Sequence, residues 1–165
     1  MFSIRVATDD LVFSAGHFIT LDNGQCERLH GHSYRVTAEL HGPLDACQCV
    51  IDFVAVRDIL KHILAELDHR VLLPDRNPTI RVAAGPNEIE VSFSNRRWLF
   101  PADDCRVLPL ANTTNELLAE YIARCLSAEL RARFGQQLAL ERMRIEVGEG
   151  TGCSAACELR GADLR

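Results

Sequence analysis

The chain has 165 residues, of which 47% are hydrophobic, and its formal net charge is −5. This length and composition predict one compact domain over residues 1–165. The acidic balance argues against a general nucleic-acid binder, and no apolar run approaches the length of a membrane span. Seven cysteines without a regular framework argue against a secreted disulfide scaffold. We therefore expect a cytoplasmic protein that binds neither nucleic acid nor membrane.

The N-terminal part of the chain alternates as β-strands do. Residues 2–8 and 11–19 are predicted strands, with one bent hairpin as an arrangement of the pair. Residues 32–41 alternate between two faces, and Gly42-Pro43 ends this strand. One face of it carries His32, Tyr34, Val36, Ala38 and Leu40.

Two amphipathic helices are predicted further along. Asp52 is a candidate N-cap, and the apolar residues after it repeat at helical spacing to about Leu67. Thr113 and Glu116 fit a capping box that begins a second helix, which Gly135 is expected to end.

The remaining segments are less regular. Residues 71–110 mix prolines and glycine with short β-like runs, which predicts a loop followed by a hairpin. A last strand over 140–148 places Met143, Ile145 and Val147 on one face, which Glu149 continues. Strands combined with two amphipathic helices predict an α+β fold, in which an antiparallel sheet packs against the helices.

The sharpest chemical signal is His30-Gly31-His32. Histidines at i and i+2 on a strand project from the same face, and Gly31 allows close approach of another backbone. His17, at the end of a predicted neighbouring strand, is the candidate third imidazole. Three protein ligands leave a fourth position open, which distinguishes catalytic from structural zinc. The alternative is a set of surface or core histidines that bind no metal.

Cys26 precedes His30 by four residues and has three interpretations. It is a small buried hydrophobic residue, or a fourth ligand that makes a zinc site structural. The third interpretation is an acid/base thiolate near the metal, where zinc and imidazoles would lower the thiol pKa.

Asp68, His69 and Glu149 complete the candidate set. Asp68 either charges the adjacent His69 for proton transfer, or His69 simply lies at a favourable helix C-terminus. Because sequence neighbours seldom pair side chain to side chain, the two residues are also candidates for different partners. Glu149 either points to water or accepts two adjacent N–H groups of a ligand.

Six stretches of the chain follow the order of one family. They are FSAGH, CERLHGHSY, VIDF, LDHRVL, NTTNELLAEYI and EVGEGTGCSAAC. In these motifs the chain resembles the 6-pyruvoyl- and 6-carboxy-tetrahydropterin synthases over nearly its whole length. The resemblance implies three groups of residues: the Zn²⁺ ligands His17, His30 and His32, the catalytic Cys26, Asp68 and His69, and the pterin-binding Glu149, Thr113 and Thr114.

The fold that the resemblance implies is the tunnelling fold, an antiparallel sheet packed on two antiparallel helices. Such proteins form trimers that stack as hexamers, with active sites between subunits. We therefore expect a homo-oligomer in which Cys26 and the Asp68–His69 pair of one pocket come from different chains. The implied substrate is the pterin 7,8-dihydroneopterin triphosphate.

The motif Cys26-Glu27 leaves the product open. The spacing from Cys26 to His30 resembles the 6-carboxytetrahydropterin synthases, zinc lyases that release acetaldehyde and triphosphate and feed queuosine synthesis. Glu27 resembles members that cleave the side chain to 6-hydroxymethyl-7,8-dihydropterin for folate synthesis, which would make Glu27 catalytic. Formation of 6-pyruvoyl-tetrahydropterin is a third alternative, and Glu27 as a plain surface residue is the simplest one.

Two departures from the family pattern concern the pocket. Residues 112–116 read Asn-Thr-Thr-Asn-Glu where Pro-Thr-x-Glu-Asn is usual, so Glu116 is either a shifted pterin contact or only a helix cap. Segment 74–109 is long for the family and is expected to reshape the pocket mouth.

Overall fold

The computed structural model describes residues 1–150 and 152–164, with Gln136 described by its backbone alone. These residues form ten strands, two α-helices and short 3-10 helices at Ala102–Asp104, Gly135–Gln137 and Gly161–Leu164. The α-helices are α1, Phe53–Ala65, and α2, Asn115–Phe134. The strands are β1 Phe2–Val6, β2 Val12–His17, β3 His30–Gly42, β4 Arg70–Pro74, β5 Arg81–Ala84, β6 Glu88–Phe93, β7 Arg96–Pro101, β8 Cys105–Leu108, β9 Arg142–Glu149 and β10 Cys153–Arg160.

The long strand β3 organises the main sheet, whose order is β10-β9-β3-β2-β4-β8. On one edge β3 pairs with β9, and on the other it pairs with β2 and then with β1. The first two strands are therefore not a hairpin with each other, because each pairs antiparallel with β3. This arrangement places the end of β2 beside the start of β3.

The main sheet is mixed rather than purely antiparallel. Strand β4 pairs parallel with both β2 and β8. Neither β4 nor β8 was predicted within residues 71–110. In this segment the structure also has a separate antiparallel sheet of β5, β6 and β7. The reason is that Leu72, Leu73 and Pro74 are buried in succession, so β4 shows no alternation of apolar and polar residues.

The C-terminal strands were predicted only in part. Strand β9 buries Met143, Ile145 and Val147 on one face, as predicted. It is not the last strand, because β10 follows and pairs with it along eight residues. Leu159 is the one buried residue of β10, so the strand lacks the apolar alternation that would have indicated it.

The two helices and one face of the main sheet enclose the principal core. Asp52 is the N-cap of α1, as predicted, since its Oδ1 accepts a hydrogen bond from Val54 N at 2.9 Å. Helix α1 ends at Ala65, before the predicted Leu67, which is fully buried in the following turn. Gly135, with a φ of 55°, ends α2 as predicted.

A second apolar cluster joins the three-stranded sheet to the main sheet. It consists of Phe18, Leu73, Ile80, Ile89, Val91 and Cys105. This cluster lies beside the residues that follow His17, so it connects segment 74–109 to the histidine region. Within residues 1–150 and 152–164, no helix is both long and apolar enough to cross a membrane.

Candidate metal centre and active site

The pairing of β2 with β3 brings the three predicted histidines together. His17 lies opposite His30, and His32 lies opposite Ala15. Their ring centroids are 4.8 to 5.2 Å apart, and one ligand atom from each ring lies within 4.8 Å of the others. Gly31 makes the approach possible, because a Cβ there would lie 3.3 Å from the carbonyl oxygen of Ala15.

Backbone carbonyls orient two of the imidazoles. His17 Nδ1 lies 2.9 Å from the carbonyl oxygen of Thr113, and His30 Nδ1 lies 2.8 Å from that of Arg28. A carbonyl oxygen only accepts, so Nδ1 of each ring carries the proton and donates. Each ring therefore keeps the lone pair on Nε2 for a metal ion, the usual arrangement of a ligating histidine.

His17 is the most buried of the three, with 4% of its surface exposed. Burial lowers its pKa below the ordinary value, against the opposing effect of the Thr113 carbonyl. The neutral ring that ligates a metal is therefore favoured. The hydroxyl of Tyr34 lies 3.4 Å from His17 Nε2, and burial raises the pKa of this phenol, which keeps it protonated.

The three histidines line a cleft of about 390 Å³ together with Glu27, Glu116 and Glu149. Glu149 Oε2 lies 3.7 Å from His32 Nε2, and Glu27 Oε2 lies 3.9 Å from His30 Nε2. The cleft thus combines imidazole nitrogens with carboxyl groups. Such a set can hold a divalent cation and accept hydrogen bonds from the N–H groups of a ligand.

Cys26 lies next to this cleft in sequence, but its side chain packs against the second apolar cluster. Its sulfur is not part of the group of converging ligand atoms, so the arrangement does not favour a Cys–His₃ structural site. Burial raises the pKa of the Cys26 thiol, and the nearby Arg96 acts in the opposite direction. Cys26 is therefore a thiol in this arrangement, and Glu27 is the neighbour that faces the histidines.

The two threonines predicted to bind the pterin have different positions. Thr113 is fully buried, and its hydroxyl donates to the carbonyl of Phe18 at 3.4 Å, so its side chain is not available to a ligand. It acts on the site through its own carbonyl, which orients His17. The capping box was placed one residue early, because Thr114 is the N-cap of α2 and its side chain accepts from Leu117 N.

Asp68 and His69 contact each other directly, contrary to the expectation for sequence neighbours. His69 Nδ1 lies 2.8 Å from Asp68 Oδ2, an arrangement that the left-handed backbone of His69, with a φ of 56°, brings about. The backbone N–H of Ser14, donating to Asp68 Oδ1 at 2.7 Å, is the main cause of a lowered pKa at Asp68. The exposed His69 lines a second cleft of about 630 Å³, and His32 borders both clefts.

The sequence alone did not establish the roles of several contributors to the site. Tyr34 shares the strand face of His32, and this alternation was the available signal for its position near His17. The sequence allows Glu116 to be a pterin contact or a helix cap; in the structure Glu116 lines the cleft, and Thr114 is the N-cap. The carbonyl of Thr113 had no sequence signal, because it lies 96 residues from the ring it orients.

These residues fit a metal ion by the chemistry of their donors. Three imidazoles converge, two of them present Nε2 because Nδ1 is engaged, and the most buried one is held neutral. The three predicted histidines could therefore hold a metal ion, with one side facing the cleft.

Comparison with known proteins shows the family to which the chain is similar. A family model described as 6-pyruvoyl tetrahydropterin synthase matches residues 7–160. A Methanocaldococcus jannaschii protein with the provisional name 6-carboxy-5,6,7,8-tetrahydropterin synthase is 30% identical over 143 residues, which are 86% of this chain and 87% of that protein.

Solved structures of similar proteins share the fold. The 6-pyruvoyl tetrahydropterin synthases of Plasmodium vivax and Plasmodium falciparum superpose with a TM-score of 0.89 at 25% and 26% identity, each over 96% of this chain and 98% of theirs. These neighbours confirm the predicted α+β tunnelling fold. The converging histidines, the match over residues 7–160 and the archaeal relative lead to one conclusion: the chain belongs to the 6-pyruvoyl tetrahydropterin synthase family.

Proposed function

We propose that the chain is a zinc enzyme that converts 7,8-dihydroneopterin triphosphate and one water molecule to 6-carboxy-5,6,7,8-tetrahydropterin, acetaldehyde and triphosphate. The observation that carries this proposal is the convergence of His17, His30 and His32 in a cleft that also contains Glu27 and Glu149. The name of the M. jannaschii relative supports this product. A Pyrococcus horikoshii protein of the same provisional name, 31% identical over 66% of this chain, also supports it.

The proposed cofactor is Zn²⁺, held by the three imidazoles. Bound zinc acts as a Lewis acid on the substrate side chain and makes its hydroxyl and neighbouring C–H protons more acidic. The chain's own part is to orient two of the imidazoles through the carbonyls of Thr113 and Arg28, while burial lowers the pKa of His17 and favours its neutral form. The hydroxyl of Tyr34 supplies a further neutral donor beside His17.

Glu149 is the proposed anchor of the pterin ring. Its carboxylate lies in the cleft 3.7 Å from His32, and it can accept from the two adjacent N–H donors of an amino-pyrimidinone edge. A ring held there extends its side chain toward the histidines. Glu116, in the first turn of α2, also lines this cleft and is the proposed second acceptor for ring N–H groups.

Proton transfer on the side chain is assigned to Cys26 and to the Asp68–His69 pair. Removal of a proton by Cys26 requires its thiolate and a rotation of the sulfur toward the cleft, since the side chain packs away from it. Asp68 Oδ2 lies 2.8 Å from His69 Nδ1 and orients this imidazole for proton transfer. Because His69 lies in the second cleft, the proposed active site receives His69 from a neighbouring subunit of a homo-oligomer.

A second candidate function is supported by the position of Glu27. Its carboxylate lines the cleft, and Oε2 lies 3.9 Å from His30 Nε2. Cys26 is not among the residues that line this cleft. A carboxylate in this position can act as the general base for cleavage of the bond between the first and second side-chain carbons, which gives 6-hydroxymethyl-7,8-dihydropterin and glycolaldehyde triphosphate. The two candidate reactions therefore differ in which of two adjacent residues transfers the proton.

Incubation of the zinc-loaded chain with 7,8-dihydroneopterin triphosphate separates these candidates. We expect 6-carboxytetrahydropterin and acetaldehyde, with loss of both in Cys26→Ala and their retention in Glu27→Ala. The second candidate is supported instead if 6-hydroxymethyl-7,8-dihydropterin forms and Glu27→Ala removes it. The proposal is wrong if none of these pterin products forms at any zinc concentration. 6-Pyruvoyl-tetrahydropterin is counted among these products.

A further inference from the structure

The three-stranded sheet β5–β7 reaches the histidine region through one aromatic stack. Trp98 of β7 stacks on Phe18, with ring centroids 4.8 Å apart and an interplanar angle of 14°. Phe18 is fully buried and directly follows His17. The three-stranded sheet therefore packs against Phe18, the residue that follows His17.

Arg96, two residues before Trp98, donates hydrogen bonds to the loop that contains Cys26 and Glu27. Its Nη1 donates to the carbonyl of Cys26 at 2.8 Å, and its Nη2 donates to the carbonyl of Glu27 at 3.0 Å. The guanidinium carbon lies 4.6 Å from the centroid of the Trp98 ring, which fixes the plane of the fork by a cation–π contact. A planar guanidinium suits two consecutive acceptors, because its N–H groups point in a fixed geometry.

The loop that contains Cys26 and Glu27 also makes backbone contacts with Ile19 and Thr20. Glu27 N donates to the carbonyl of Ile19 at 3.0 Å, and Cys26 forms an isolated β-bridge with Thr20. With the backbone fixed at both residues, the side chain of Glu27 extends toward His30. The side chain of Cys26 lies against the second apolar cluster.

We propose that Arg96 is a positioning residue, which fixes the backbone of Cys26 and Glu27 so that these two candidate proton-transfer groups keep their directions relative to the histidines. This inference rests on the proposed function for its catalytic consequence. The positioning itself can be measured without turnover. Segment 74–109 thereby acts on the reaction through Arg96, although Arg96 is not among the residues that line the cleft.

Hydrogen exchange and kinetics on the same full-length variants test this inference. In Arg96→Ala we expect amide exchange in a peptide covering residues 20–28 to accelerate by at least about tenfold, because two charge-assisted hydrogen bonds are lost. We also expect kcat to fall by about 10- to 100-fold, with KM within about threefold of the wild-type value. Arg96→Lys, whose ammonium does not reproduce the fork, should lie between Arg96→Ala and wild type in both measurements.

Arg97→Ala is the matched control, since Arg97 is the next residue of β7 and pairs with the exposed Glu90 at 2.7 Å. It should match wild type in exchange and in kcat. The inference is overturned if Arg96→Ala and Arg96→Lys leave exchange in 20–28 unchanged, if Arg97→Ala accelerates it equally, or if exchange accelerates while kcat stays at the wild-type value. Accelerated exchange in a protein whose wild type turns over no pterin would support the positioning and contradict the proposed function.

Discussion

Removal of one imidazole should weaken metal binding by a predictable factor. Four-ligand zinc sites bind with about 10–16 kcal/mol at neutral pH, so one ligand is worth about 2.5–4 kcal/mol, or about 10²- to 10³-fold in Kd. We expect this loss in His17→Ala. The same change leaves the Thr113 carbonyl, which accepts from His17 at 2.9 Å, without its partner. The free energy of unfolding of the metal-free variant should therefore be about 1–3 kcal/mol lower than that of the metal-free wild type.

The assay is a competitive titration of Zn²⁺ against a chromophoric chelator at pH 7, with urea unfolding of the metal-free protein alongside. His62→Ala is the control, because His62 is exposed in the last turn of α1, and it should bind zinc as wild type does. The reasoning is refuted if His17→Ala binds zinc within about threefold of the wild-type Kd, or if His62→Ala weakens binding to the same extent.

Three further predictions concern the pterin anchor, a helix cap and an acid titration. Glu149→Gln should raise KM for the pterin by about 10- to 100-fold, because a charged acceptor is lost; a steady-state KM equal to that of wild type would contradict the assignment. Thr114→Ala should lower the free energy of unfolding in urea by about 0.5–2 kcal/mol through loss of the α2 cap, and no loss would mean that the cap is not formed in solution. Hydrogen bonds from Thr8 and then Lys61 lower the pKa of Asp10 to about 2, so its charged form stabilises the folded chain above the ordinary carboxyl pKa. The stability gap between wild type and Asp10→Asn should therefore close as pH falls from about 4 to about 2, and a gap constant down to pH 2 would contradict this.

The geometry of the histidines was predictable because side chains alternate between the two faces of a β-strand. His30 and His32 share a face at a spacing of two, and the alternation of the residues after them identified the strand. His17 needed only a neighbouring strand in antiparallel register, which the pairing of β2 with β3 provides. Local patterns likewise predicted Asp52 and Gly135 at the helix ends, because caps are properties of short segments.

The parts that were not predictable depend on packing between distant segments. The carbonyl of Thr113 reaches His17 across 96 residues, and Arg96 reaches Cys26 across 70. Neither contact leaves a spacing in the sequence. Strand β4 was missed for a related reason, because a strand buried on both faces has no alternation to read.

An X-ray structure of the zinc-loaded, substrate-free protein, with anomalous data at the zinc edge, tests whether the three imidazoles hold the zinc ion. We expect one zinc peak about 2.0–2.1 Å from nitrogens of His17, His30 and His32, and no bond from the sulfur of Cys26. A sulfur about 2.3 Å from the zinc, or a peak elsewhere with the three rings turned apart, would contradict it.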